Sequence, residues 1–179
     1  PFADTRPELA LGEPWRAPAS RAPSEGEDRF ADEPDERVLF AIGAWFAHKD
    51  EEIWTVAGDG GFQMTAAELT TAVQEGANVK IAIMNNNFLG MVRQWQEFFF
   101  EKRYSAVNMV TPDFVKLAEA HGVPARLVTK REEVNDAIEW ARKTQGPVVL
   151  EFRVEQEEAV YPMVPQGAAL HEMIRRPVR

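Results

Sequence analysis

Two short apolar runs, residues 53–57 and 79–84, each end abruptly on polar residues, and the segment between them fixes the kind of fold. The first ends in Gly58-Asp59-Gly60-Gly61, the second in Asn85-Asn86-Asn87. Short runs rich in β-branched residues and bounded by turn formers read as buried strands. Between them, Thr65-Ala66-Ala67-Glu68 has the capping-box pattern, with the Thr hydroxyl toward the N3 amide and Glu68 reaching back. It predicts a helix to about Gln74, stopped by Gly76. Strand, helix and strand at this spacing predict a right-handed crossover between parallel strands.

The alternation continues along the chain. Residues 38–48 are mostly apolar and read as a buried helix, and residues 88–100 as an aromatic-rich one. Thr111-Pro112-Asp113 predicts a further helix with Pro at its first position. Phe114, Leu117 and Ala118 form its apolar face, and Gly122 ends it. Residues 125–128 are strand-like, 132–143 helical, and Gly146-Pro147 introduces a last strand at 148–154. Alternating strands and helices predict an α/β domain over residues 38–179, a parallel sheet flanked by helices. Residues 1–37 hold six of the twelve prolines, many charges and no periodicity, and read as an irregular leader.

Composition narrows the function. A net charge of −9 argues against a nucleic-acid groove or a polybasic membrane patch. The absence of cysteine excludes a disulfide framework, a thiol nucleophile and Cys-ligated metals. No apolar run approaches the roughly 20 residues of a membrane span, and there is no apolar secretory segment at the start. A cytoplasmic, reducing setting is the expectation.

Asp59 and Asn86 end neighbouring strands, and a parallel sheet binds ligands at its carboxyl edge. One carboxylate and one amide oxygen suit a hard cation such as Mg²⁺. Gly58, Gly60 and Gly61 allow close backbone approach, and a helix opening near Thr65 would aim its amide-rich end at phosphate oxygens. Each element alone is an ordinary turn. Together they point to thiamin diphosphate held with a divalent metal. His48, His121 and His171 read as surface or helix-end residues, Glu155, Glu157 and Glu158 as a solvated loop, and Arg93 more as a solvated charge than as a substrate clamp. No general base is required of this chain.

The Gly58-Asp59-Gly60 and Asn85-Asn86 pair resembles the thiamin diphosphate signature. The run Asn85-Asn86-Asn87-Phe88-Leu89-Gly90-Met91-Val92-Arg93-Gln94-Trp95-Gln96 resembles the catalytic subunit of the acetohydroxyacid synthase (acetolactate synthase) family. Gly61-Phe62-Gln63-Met64, Arg103-Tyr104-Ser105, residues 112–118 and Tyr161-Pro162-Met163-Val164-Pro165 match in order, so the resemblance spans about residues 39–174. It implies Asp59 and Asn86 as Mg²⁺ ligands with the Phe88 carbonyl, and Gly58, Gly60 and Gly61 around the diphosphate. It implies Met91 beneath the thiazolium, holding the cofactor bent, and Trp95 facing the substrate pocket. The implied reaction is decarboxylation of pyruvate and condensation with a second pyruvate or 2-ketobutyrate, in branched-chain amino-acid biosynthesis.

The family's subunit also has a first domain, whose glutamate activates the cofactor's aminopyrimidine, and a middle domain holding much of the FAD. Neither matches this chain. The resemblance therefore implies the C-terminal, diphosphate-side domain, inactive alone. Its implied partners are keto acids, a chain carrying the pyrimidine-binding domain, a further copy in a dimer, and a regulatory subunit, with neither nucleic acid nor membrane. Two alternatives stay open: a related thiamin-dependent keto-acid decarboxylase or carboligase, and a non-catalytic remnant.

Overall fold

A computed structural model describes residues 36–177. The leader assigned to residues 1–37 lies outside them, except that Arg37 already opens the first helix. Helix α1 (Arg37–Ala47) leads to strand β1 (Ile53–Gly58), helix α2 (Asp59–Thr65) and helix α3 (Leu69–Glu75). Strand β2 (Val79–Asn85) and helices α4 (Gly90–Phe99) and α5 (Phe114–Ala120) follow. Strand β3 (Ala125–Val128), helix α6 (Val134–Lys143) and strand β4 (Val148–Arg153) complete the order. The strands form one parallel sheet in the order β1-β2-β4-β3. No helix among the described residues is long and apolar enough to cross a membrane.

Each face of the sheet carries its own core. On one, Val79, Ile81 and Ile83 of β2 meet α1, α3 and α5 through residues such as Val38, Leu69 and Phe114. The Phe62 and Phe114 rings there pack edge to face, 5.4 Å apart. On the other, Val148 and Leu150 of β4 pack with Val128 and with Ala137 and Ala141 of α6. α1 buries Val38, Ala41, Ile42 and Trp45, the spacing of one helical stripe, and leaves Leu39, Phe40 and Phe46 exposed. It is buried on one side only, where its composition predicted burial all round.

Several helix starts differ from the sequence reading. The chain turns helical already at Asp59, directly after β1, so Thr65 both ends α2 and stands as the N-cap of the 3₁₀ turn Ala66–Glu68 that leads into α3. Asp113, not Thr111, caps α5, its Oδ1 accepting from the Lys116 amide at 3.1 Å. Pro112 therefore stands before the cap. α4 is shorter than expected, starting at Gly90, and α6 starts at Val134 behind a 3₁₀ turn at Arg131–Glu133.

Gly76 ends α3 at φ 67°, a left-handed conformation. A Cβ added there meets nothing within 4 Å, so substitution is penalised by the backbone alone. Gly76→Ala is expected to lose about 1–2 kcal/mol, read as a lower urea midpoint at unchanged slope.

Candidate functional site

The site is built where β1 and β2 end. Gly58 lies opposite Met84 in the ladder, so Asp59 comes level with Asn85, and Asn86 follows one position on. The crossover thus brings the expected Asp and Asn to the same carboxyl edge. Gly58, the N-cap of α2, is extended (φ −75°, ψ 161°), and the next residue is already helical. The amide-rich start of that helix is therefore the Asp59-Gly60-Gly61 segment itself, six residues earlier than the sequence suggested. A Cβ on Gly60 would stand 3.2 Å from Leu89 Cδ2 and 3.2 Å from Met109 Sδ, so the glycine lets two loops close on each other.

Asp59 is 2 % exposed, and its Oδ2 has no hydrogen-bond partner among the described residues. Burial raises its carboxyl above the ordinary aspartate value. The amides of Gly60 and Asn87 pull the other way without cancelling this. A desolvated carboxylate oxygen with no partner is costly unless something positive meets it.

The asparagine turn is locked by its own side chains. Asn85 Oδ1 accepts from the Asn87 amide and Asn86 Oδ1 from the Phe88 amide, both at 3.1 Å, two successive Asx turns. Asn87 sits at φ 56°, a conformation asparagine tolerates. The Met109 amide donates to the Asn87 carbonyl and the Leu89 amide to that of Val107, both at 2.9 Å. The turn is thus stitched to the 107–111 segment. Beside it opens a concavity of about 490 Å³ lined by Asn87, Met109, Thr111, Arg153 and Gln156, among others. A separate apolar groove of about 510 Å³, over β1, β2 and β4 beside α6, includes none of the candidate residues.

α4 is built inside out. Its buried residues are polar, Arg93 and Gln94, while Met91 (58 %) and Trp95 (38 %) are exposed. Met91, Trp95 and Phe99 follow at four-residue spacing and share one face. The Trp95 and Phe99 rings stand 5.0 Å apart. Met91 is therefore not a core methionine, and an apolar face of this kind marks a contact surface. Arg93, read from sequence as a solvated charge, is wholly buried. It donates to Glu97 Oε2 (2.7 Å), Tyr104 Oη (3.3 Å) and the carbonyls of Glu157 and Glu158 (3.2 and 3.1 Å). The side chains of Glu157 and Glu158 are exposed, as expected of a loop, that of Glu158 pairing with Arg176, but their backbone is anchored.

Asn85, Asn87 and Thr111, noted in the sequence only as strand-end and helix-start residues, were given no role at the site, and Glu151 was not singled out. Glu151 could have been: it is a lone acid in the apolar run Val148-Val149-Leu150-Glu151-Phe152.

The donors suit one ligand chemistry. A buried carboxylate with an unpartnered oxygen and asparagine amides at the same strand edge are donors of the kind a hard cation takes. Among the described residues no three His, Cys, Asp or Glu side chains converge on a metal. A cation here would take its remaining oxygens from water and from phosphates, the usual arrangement for Mg²⁺.

Residues 38–152 match the family described as thiamine pyrophosphate enzyme, C-terminal TPP binding domain. The acetolactate synthase large subunit of Corynebacterium glutamicum is 49% identical over 138 residues, 74% of this chain and 22% of that protein. The mitochondrial acetolactate synthase of Schizosaccharomyces pombe is 47% identical over 134 residues, 75% of this chain and 20% of that one. The chain spans about a fifth of the length of these relatives. Among solved structures, the thiamine diphosphate-dependent 4-hydroxybenzoylformate decarboxylase of Rhodococcus jostii RHA1 superposes with a TM-score of 0.65 at 27% identity. That match covers 70% of this chain and 24% of that one.

Proposed function

Since the chain belongs to the thiamine pyrophosphate enzyme family, as a carrier of its C-terminal TPP binding domain, we propose that it is the diphosphate-side domain of an acetolactate synthase. The observation that carries this is Asp59, buried with an orphan oxygen at the carboxyl edge of the sheet, one position short of the level of Asn86. In this reading Asp59, the Asn86 side chain and the Phe88 carbonyl hold Mg²⁺. Asn86 Oδ1 accepts one amide hydrogen and keeps a second lone pair for the ion. Gly58, Gly60 and Gly61 line the diphosphate.

Bound there, thiamin diphosphate supplies the chemistry that joins two keto acids with loss of CO2. The residues of this chain bind and orient. Met91 and Trp95 present one exposed apolar face of α4, Met91 toward the cofactor and Trp95 toward the keto acid. The site is completed by a chain bearing the pyrimidine-binding domain, as a homo-oligomer in a cytosol-like compartment, with a regulatory subunit and FAD carried by the whole assembly. The identity to acetolactate synthases, well above that to the decarboxylase, favours the synthase over its decarboxylating relatives.

Calorimetric titration of the chain with thiamin diphosphate is expected to give heat only when Mg²⁺ is present. No heat at millimolar cofactor from a folded sample overturns the binding claim. Acetolactate formed from pyruvate is expected once a chain carrying the pyrimidine-binding domain is added. Its absence with cofactor binding intact overturns the synthase assignment alone.

A further inference from the structure

Asn85, which opens the asparagine turn, belongs to a polar cluster with Glu151, Arg153 and Thr111. Glu151, buried in the middle of β4, accepts from Asn85 Nδ2 at 2.7 Å. Arg153 Nε donates to the same Glu151 oxygen at 2.9 Å and supplies the counter-charge. The Thr111 hydroxyl receives a longer contact from Asn85 Nδ2, 3.4 Å, and donates to Asn87 Oδ1 at 2.9 Å. Asn85 is thus used at both ends of its amide, Nδ2 toward the carboxylate and Oδ1 toward the Asn87 amide.

An asparagine amide can flip, exchanging donor for acceptor. An ionised carboxylate only accepts, so it can face only the Nδ2 side. Glu151 therefore selects one flip state of Asn85, and that state presents Oδ1 to the Asn87 amide. The bond so made closes the first of the two Asx turns, and Asn86 stands inside it. We propose, resting on the cofactor reading above, that Glu151 is a positioning residue. Acting through Asn85, and braced by Thr111, it sets the turn that aims the Asn86 side chain and the Phe88 carbonyl at the ion held by Asp59. The residue lies on a different strand, so β4 controls the geometry of a site built at the ends of β1 and β2.

Glutamine in place of Glu151 keeps the size but can also donate, so it accepts either flip state and loses the charge facing Arg153. The test is uptake of Mn²⁺ by the full chain in the presence of thiamin diphosphate, followed by electron paramagnetic resonance. Glu151→Gln is expected to weaken Mn²⁺ binding about tenfold, the usual effect of removing a partner that orients a ligand. Thr111→Val, which removes only a half-buried hydroxyl, is expected to weaken it in the same direction and keeps the test open should the first variant fail to fold. Val149→Ala, a core truncation two residues before Glu151 on the same strand, is expected to lower the melting temperature yet leave Mn²⁺ affinity unchanged. Mn²⁺ affinity unchanged in folded Glu151→Gln or in Thr111→Val, or weakened equally in Val149→Ala, overturns the positioning role. In those cases wild type still binds and Asp59→Asn does not, so the site reading survives. Failure of the wild-type chain to take up Mn²⁺ overturns both.

Discussion

Replacing Asp59 by Asn is expected to abolish Mg²⁺-dependent cofactor binding and, at neutral pH, to make the cofactor-free chain more stable. The two effects have one cause. Asp59 is buried, and one of its oxygens finds no partner in the protein. The ionised form is therefore worse in the folded chain than in the unfolded one, which is what a raised carboxyl expresses. Below the ordinary aspartate value of 3.8 the group is neutral in both states and the penalty is absent. As pH rises through that value and then through the raised folded one, the penalty grows, and above both it is constant. Asparagine never ionises. The stability difference between Asp59→Asn and wild type should thus be near zero in acid, appear as pH rises past the aspartate range, and level off by neutrality. Urea denaturation at several pH values, without cofactor, measures it. With Mg²⁺ and thiamin diphosphate the order should reverse, because the ion removes the wild-type penalty and cofactor binding adds stability by mass action. Binding by the variant should fall by more than about 100-fold, beyond the 10–100-fold loss typical of a supporting partner. Retained Mg²⁺-dependent binding refutes the metal assignment. A variant less stable than wild type at neutral pH refutes the account of the buried charge.

The large-scale architecture was legible because it rests on patterns the chain states locally. Residues 53–57 and 79–84 are apolar runs with polar ends, and they became β1 and β2 in adjacent parallel pairing. The juxtaposition of Asp59 with the asparagine turn followed from a crossover of known handedness. What failed was what tertiary contacts decide. Thr65 and Glu68 do open the helical stretch that Gly76 ends, but a further helix begins at Asp59, where glycines permit a direct strand-to-helix turn against the Leu89 and Met109 side chains. Glu151 belongs to a strand that read as simply apolar, and its partnership with Asn85 spans 66 positions. α4 defeats the ordinary rule that apolar residues go inward. Its apolar side faces out, consistent with a surface awaiting a ligand or a partner chain, and its polar side chains serve as anchors for a segment far along the sequence.

That inversion leads to the second large effect, at Arg93. Arg93→Met keeps most of the stem volume, so the cavity contribution is small, and what is lost is the guanidinium. Four hydrogen bonds go with it, two of them to the carbonyls of Glu157 and Glu158. Breaking a buried ion pair from one side commonly costs 3–5 kcal/mol because the other charge is stranded. Here Glu97 is 17 % exposed and keeps Lys102 at 3.3 Å, so it is not stranded. The penalty falls instead on the two loop carbonyls and on Tyr104, and the expected loss is about 3 kcal/mol. Lys102→Gln, on the exposed side of the same glutamate, should change stability by no more than about 0.5 kcal/mol. Hydrogen exchange separates an anchor from a general core effect. Val160 donates its amide to Gln94 Oε1 at 2.6 Å, in the segment that Arg93 ties down. Arg93→Met should therefore speed exchange at Val160 well before β2 or β4 open, since a tie to a surface segment governs local rather than global unfolding. A loss under about 1 kcal/mol with Val160 exchange unchanged would show that Arg93 fills space without fastening the loop. Should the loop loosen as expected, the orientation of α4 depends on it too, because Arg93 and Gln94 are the residues that root this helix with Met91 and Trp95 turned outward. Cofactor affinity should then weaken in the same variant, although Arg93 itself touches none of the proposed ligands.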